Sequence, residues 1–253
     1  MKTFIKNRDG NEIAVVVEGP EKAGKLAFVM HGLGGNKEQT HIRAMIEAFL
    51  ESGFTVVSFD TVHTFGESKG GSYEDATVTN YYADLEDVIS WASSQKWYSE
   101  PFVLCGHSLG GISTALFTEN HFEKVMGLAP ISTVVSGKLS AEINVDELEK
   151  WKKEGILVTM SYDGKREKRL KWSHMVDRLK YDLLPKAGEL TMPVLMIVGE
   201  HDESTPLKHQ QILYDVLSGK KELHIIKGAP HTFYETDERE EVKELVKTWA
   251  SKL

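Results

Sequence analysis

Cysteine is almost absent from the 253-residue chain: Cys105 stands alone, so no intrachain disulfide can form and no cysteine cluster is available to a metal. That usage fits a reducing compartment, and the chain is expected to be cytoplasmic. Positive charge is also in short supply. Thirty Lys and Arg face thirty-eight Asp and Glu, a formal net charge of −8, which argues against a grip on nucleic acid or on an anionic membrane surface. No apolar run approaches the roughly 18 residues needed to cross a bilayer, and Met1 to Gly10 is polar and charged, unlike a targeting peptide. Solenoid-length repeats and low-complexity segments are missing as well. What remains is an ordinary globular composition, 41% hydrophobic and 27% charged, able to bury a sizeable core in one domain.

Short apolar runs alternate with helical patterns along the chain. Ile13 to Val17, Leu26 to Met30, Phe54 to Phe59, Phe102 to Cys105, Val125 to Ala129, Val194 to Val198 and Leu223 to Ile226 have strand length and strand composition. Between them, Ile42 to Glu51, Val78 to Ser94, Ser113 to Asn120, Leu207 to Leu217 and Glu238 to Trp249 carry apolar residues at three- and four-residue spacing. Strands that are continuously apolar belong in a parallel sheet covered on both faces, with the helices as crossovers. The predicted class is α/β. Asp9-Gly10-Asn11 between Phe4 to Lys6 and Ile13 to Val17 predicts an antiparallel hairpin at one sheet edge.

The alternation lapses from Ile131 to Leu190, which holds twelve Lys or Arg, ten Asp or Glu and two Trp. A stretch this long where a short connection is expected reads as an insertion forming a lid over residues 131–190, on a core made of residues 1–130 and 191–253. A hairpin is expected about Asp163-Gly164. The slight positive excess of the lid could draw anionic or phenolic substrates, or be no more than a solvated face. Trp151, Tyr162 and Trp172 form either an aromatic wall for an acyl or aryl group or the lid's own small core.

Gly106-His107-Ser108-Leu109-Gly110 falls between a predicted strand and a predicted helix. A serine pointed out of so sharp a turn needs a strained backbone, and glycines two residues to either side relieve the crowding. Serine is a poor nucleophile until a base takes its proton, and an imidazole base needs a carboxylate to orient it. Two candidates follow strands late in the chain: Asp202, in Gly199-Glu200-His201-Asp202, and His231, in Gly228-Ala229-Pro230-His231. Carboxyl ends of parallel strands carry active sites, and the order Ser108, Asp202, His231 is that of a nucleophile-elbow hydrolase. Glu200 rivals Asp202, while His201 and His224 rival His231. His31-Gly32-Leu33-Gly34-Gly35, after another strand, supplies a loop that can turn amides toward an oxyanion, and the Leu33 and Leu109 amides are assigned that task. The loop matches no phosphate-binding glycine motif.

With these residues in place, the chain resembles the α/β-hydrolase superfamily from Ile13 to Trp249. Within it, the chain is similar to feruloyl or cinnamoyl esterases and to monoacylglycerol-lipase-like enzymes, on its length, the lid position after Ala129-Pro130, and Phe59-Asp60 through Gly66-Glu67-Ser68. The resemblance implies an α/β-hydrolase fold, a mostly parallel central sheet flanked by helices with a lid insertion. It also implies a carboxylesterase acting through an acyl-enzyme on Ser108. Val62-His63-Thr64-Phe65-Gly66-Glu67-Ser68 departs from the relatives' Asp-x-x-Gly-His-Gly-x-Ser, so the loop beside the site is expected to differ.

The expected activity is cleavage of carboxylic esters of small acyl or aryl groups, hydroxycinnamoyl esters among them. No cofactor or metal is expected, and the expected partner is a small-molecule ester rather than nucleic acid or membrane. Monomer and homodimer both stay open. Two alternatives remain: an aminopeptidase-like amide or peptide hydrolase of the same fold, and a ligand-binding protein without turnover.

Overall fold

A computed structural model describes residues 1–20, 24–161 and 164–253. Its centre is an eight-stranded sheet. In chain order the strands are β1 (Lys2–Lys6), β2 (Glu12–Glu18), β3 (Leu26–Met30), β4 (Thr55–Phe59), β5 (Phe102–His107), β6 (Val125–Ile131), β9 (Val194–Gly199) and β10 (Lys221–Ile226). Across the sheet they lie in the order β1-β2-β4-β3-β5-β6-β9-β10. The pairings β1–β2 and β2–β4 are antiparallel, and every later pairing is parallel. The hairpin expected at one edge is thus β1–β2, in register from Lys6 opposite Glu12.

Why the central strands read as unbroken apolar runs is visible in their packing. Along β3, Ala27 and Val29 face a layer made by α1 (Thr40–Glu51) and α8 (Thr236–Ala250), with Ile42, Met45, Phe49, Val242, Val246 and Trp249 in contact. Leu26, Phe28 and Met30 face the opposite layer, where α2 (Val78–Ala92), α3 (Leu109–Asn120) and α7 (Leu207–Val216) bring Tyr81, Leu85, Val88, Ile112 and Leu213. Both faces of the strand are dry, so alternation would leave polar groups in one of the two cores. All residues of β3, β4 and β9 are buried.

Between β6 and β9 the chain leaves the sheet. It forms α4 (Gly137–Ala141), α5 (Val145–Glu154), an antiparallel pair β7 (Ile156–Met160) and β8 (Glu167–Lys171), and α6 (Ser173–Arg178). β7 and β8 flank the expected hairpin, with Met160 opposite Glu167; Asp163 itself, like Tyr162, lies outside the described residues. Asn144 caps α5 by accepting from the Glu147 amide at 3.2 Å, and Gly155, at φ 75°, ends it. The excursion is tied to the start of α2 by polar contacts: the Asp177 carboxylate accepts from the Thr79 amide (2.9 Å) and hydroxyl (2.6 Å). Lys171 pairs with Asp75 at 2.6 Å. Among the described residues, no helix is long and apolar enough to cross a membrane.

Candidate active site

β5 ends in Gly106 and His107, and α3 begins at Leu109, so one residue must reverse the chain. Ser108 does so at φ 56° and ψ −113°, a backbone state costly to any residue with a side chain. The flanking glycines are required by contact. A Cβ on Gly106 would lie 2.3 Å from the Gly110 carbonyl oxygen, and one on Gly110 would lie 2.5 Å from the His31 carbonyl oxygen. The turn is then fixed by its own backbone: the Ser108 amide donates to Ile131 O (2.9 Å), and its carbonyl accepts from Gly111 (3.0 Å) and Val134 (3.3 Å).

Three side chains distant in sequence converge there. His231, on the loop after β10, places Nε2 2.9 Å from Ser108 Oγ and Nδ1 2.8 Å from Asp202 Oδ2. With Nδ1–H donated to the carboxylate, Nε2 is left to accept the serine proton. Asp202 follows β9 and is buried. Its Oδ1 accepts from the Ser204 (2.9 Å) and Thr205 (2.8 Å) amides, and Thr205 Oγ1 lies 2.9 Å from Oδ2. Burial works to raise the Asp202 carboxyl. The hydrogen bond and charge of His231, with the Thr205 donors, outweigh it and hold the group at about 2.

The rivals have other places. Glu200 accepts the Gly228 amide at 2.8 Å and so ties the β9 loop to the β10 loop. His224 sits within β10 beside Glu222, 3.1 Å away, and the His201 side chain is exposed. Of the residues assigned to the oxyanion, Leu33 lines the cavity over Ser108. Leu109 is the first residue of α3, where amides lack an intrahelical acceptor. Gly32 carries Leu33 into place: its Cβ position falls 3.0 Å from Ser108 Cβ.

Sequence reasoning passed over the residues that hold these groups in position. His107 lies within the elbow pentapeptide, yet its Nε2–H donates to the His231 carbonyl at 2.8 Å, fixing the loop that bears His231. Burial pushes the His107 imidazole down to about 3, so it stays neutral. His31 donates through Nδ1 to Gly32 O (2.8 Å) and accepts at Nε2 from the Thr61 amide (3.1 Å), holding the glycine loop open; burial lowers it too. Thr205 had a legible signal, because an Asp followed by small hydroxyl residues favours a turn closed by its own side chain. The divergent loop after Asp60 is anchored on that aspartate, whose carboxylate takes the Lys37 amide (2.8 Å), the Lys37 ammonium (2.9 Å) and the Glu67 amide (2.7 Å).

A cavity of about 1320 Å³ opens over Ser108 and His231. One wall comes from the sheet loops and the other from residues 131–190, including Leu148, Trp151, Leu170 and Arg178. Of the three aromatics considered for that wall, Trp151 lines the cavity, and Trp172 stands behind it edge-on at 5.5 Å. Tyr162 lies outside the described residues.

Comparison with known proteins gives the chain a family and a fold. The family described as Serine aminopeptidase, S33 matches residues 21–182. Human protein ABHD12B is 26% identical over 218 residues, which are 83% of this chain and 51% of that protein. The 3-oxoadipate enol-lactonase 1 of Acinetobacter baylyi is 30% identical over 114 residues, 45% of this chain and 38% of its own. The chain thus spans about half, or less, of the length of these curated relatives. Est1E from Butyrivibrio proteoclasticus, solved with ferulic acid bound, superposes with a TM-score of 0.78 at 23% identity, covering 98% of this chain and 97% of its own. The fold is that of an α/β hydrolase, with the mostly parallel sheet expected from the strand pattern.

Proposed function

The chain belongs to the serine aminopeptidase S33 family of α/β hydrolases, and from that premise we propose that it is a serine carboxylesterase that cleaves esters of small acyl or aryl groups. The observation that carries this reading is the unbroken relay from Asp202 through His231 to Ser108 at the floor of the cavity. In the first half of the reaction, His231 Nε2 takes the Ser108 proton as Oγ bonds to the ester carbonyl carbon. The carbonyl oxygen gains the electron pair and is held by the Leu33 and Leu109 amides, each such donor being worth ~3 kcal/mol. Collapse of the tetrahedral species breaks the bond to the alcohol oxygen, which leaves with the proton from Nε2. Water, activated by the same nitrogen, then releases the acid and restores Ser108.

Residues 131–190 act in this scheme as a lid that shapes the acyl or aryl pocket. Ester and aminoacyl amide are separated by assay rather than by charge, because Lys168 and Arg178 reach the cavity from the lid while Glu147 and Glu203 line it as well. Est1E, solved with ferulic acid bound, makes hydroxycinnamoyl esters reasonable members of the test panel.

The test is hydrolysis of p-nitrophenyl and feruloyl esters beside aminoacyl amides, with Ser108→Ala as control. Turnover of esters should fall by about 10⁶-fold in the variant, and labelling by a fluorophosphonate should vanish with it. A Ser108→Ala protein that keeps its turnover, or a wild-type protein active only on amides, would overturn the proposal.

A further inference from the structure

Arg178, the last residue of α6, contributes to the cavity wall together with Lys168 on β8. A guanidinium in such a place normally meets a carboxylate, because an unpaired buried charge is costly. Here it does not. Among the described residues Arg178 forms no ion pair, and its Nε is sealed from solvent with no acceptor. Its one recorded side-chain partner is His174, whose Nε2 accepts from Nη2 at 2.7 Å. That imidazole is neutral: Nδ1–H is donated to Ala76 O at 2.7 Å, and burial pushes the ring down to about 3. The nearby Tyr73 hydroxyl offers no compensating charge, since burial keeps it protonated up to about 12.

The other acidic groups around the cavity are also disengaged from this charge. Asp202 is committed to His231, while Glu147 and Glu203 are exposed and ion-pair with neither cation. Lys168 is half-buried and, among the described residues, likewise without an ion-pair partner. The wall opposite the nucleophile therefore presents two cations that its own cavity-lining carboxylate, the exposed Glu147, does not pair. Surface cations in the same segment behave differently: Lys171 and Arg169 find Asp75, Glu74 and Glu167.

We infer that Arg178, supported by Lys168, is a binding site for a carboxylate on the substrate, so that the enzyme selects anionic esters, such as half-esters of dicarboxylic acids, over neutral ones. The inference rests on the esterase reading above and names its substrate class. The planar guanidinium is suited to a carboxylate, and its neutral histidine partner orients it without cancelling the charge. Binding such a substrate would remove the cost of the unpaired cation.

The experiment compares kcat/KM for the mono-p-nitrophenyl esters of succinate, glutarate and adipate with p-nitrophenyl esters of the uncharged acids of equal length. The wild type should favour at least one anionic ester by tenfold or more. Arg178→Gln should lower that anionic-to-neutral ratio by at least tenfold, and Lys168→Gln by a smaller factor. A wild-type ratio at or below one across the series, or an unchanged ratio in Arg178→Gln, would overturn the inference. A purely structural role for Arg178 would depress both ester types together and leave the ratio where it was. Should Arg178→Gln fail to fold, the wild-type and Lys168→Gln ratios decide. Should no ester be hydrolysed and Ser108 take no fluorophosphonate label, the esterase reading fails by itself. Glutarate binding to the wild type, read as a thermal shift that Lys168→Gln reduces, then tests the anion site separately; no shift in the wild type, or an undiminished shift in the variant, would overturn it.

Discussion

The elbow at the end of β5 and the excursion between β6 and β9 face each other across one cavity, but they are built on different principles. At the elbow, position is enforced by backbone against backbone: Gly106 against Gly110, Gly110 against His31, Ser108 against Ile131. The strands beneath are buried on both faces. Across the cavity, α5 buries one residue, Trp151, and in β7 Val158 and Met160 are 47% and 54% exposed. That wall is held by a small aromatic cluster and by polar ties to α2. On the proposed mechanism, a rigid element carries the bond-making atoms, where an ångström matters, and a thin layer carries the charges that would choose among substrates. Substitutions at the elbow should change turnover for every ester alike, and those in the thin layer should change which ester is preferred.

The largest effect is expected at the base of the relay. Asp202→Asn keeps the shape and most hydrogen bonds but no longer holds Nδ1–H of His231, so turnover should fall on the order of 10⁴-fold for neutral and charged esters equally. A steady-state series on both ester types checks this; a loss confined to one type would mean that the two walls are not separable. The same carboxylate bears on stability. Its folded-state pKa is depressed to about 2, so its contribution is complete above the unfolded value near ~4 and is lost as pH falls toward 2.

A loss of intermediate size tests whether the thin layer unfolds by itself. Trp151 Nε1 donates to Leu170 O at 3.0 Å, joining α5 to β8, and the ring packs edge-on against Trp172. Trp151→Ala should cost about 3 kcal/mol, felt mainly by residues 145–171. Amide hydrogen exchange should quicken through α5, β7 and β8 while α3 and β5 stay protected. Equal loss of protection at the elbow would make the two regions one cooperative unit.

The same contrast explains what could be read from the sequence. Leu26 to Met30 and Val194 to Val198 were legible because a strand covered on both faces has no choice but to be apolar throughout. Gly106 and Gly110 were legible because no other residue fits. Asp202 and His231 were legible as a pair only through their places after strands, since an aspartate or a histidine in a loop has no pattern of its own. In the excursion, neither α5 nor α6 stood out. α5 is mostly charged around a single buried tryptophan, and α6 has six residues, too few for a helical period to show. His107 and Arg178 escaped for a further reason. What marks them is a hydrogen bond to a residue 124 positions away in one case, and the lack of a counter-charge in the other, and neither property is local in sequence.

The smallest effect sits where the two regions meet. Glu119, on α3, is half-buried near Lys186, Glu189 and Asp182 at the end of the excursion, and its sealed Oε1 has no hydrogen-bond partner. Burial raises its carboxyl to about 7; Lys186 opposes the rise, and Glu189 and Asp182 add to it. A carboxyl raised on folding binds its proton more tightly in the folded state, so stability is highest below the group's ordinary value of 4.5 and declines as pH climbs toward 7. Glu119→Gln removes the charge at nearly constant shape. It should stabilise the protein by about 1 kcal/mol at pH 8 and by almost nothing at pH 4, measured by urea unfolding at the two values. A gain of the same size at both would show that the side chain, rather than its ionisation, strains the junction. A loss at pH 8 would mean that the carboxylate is a working tie between the elbow helix and the wall it faces.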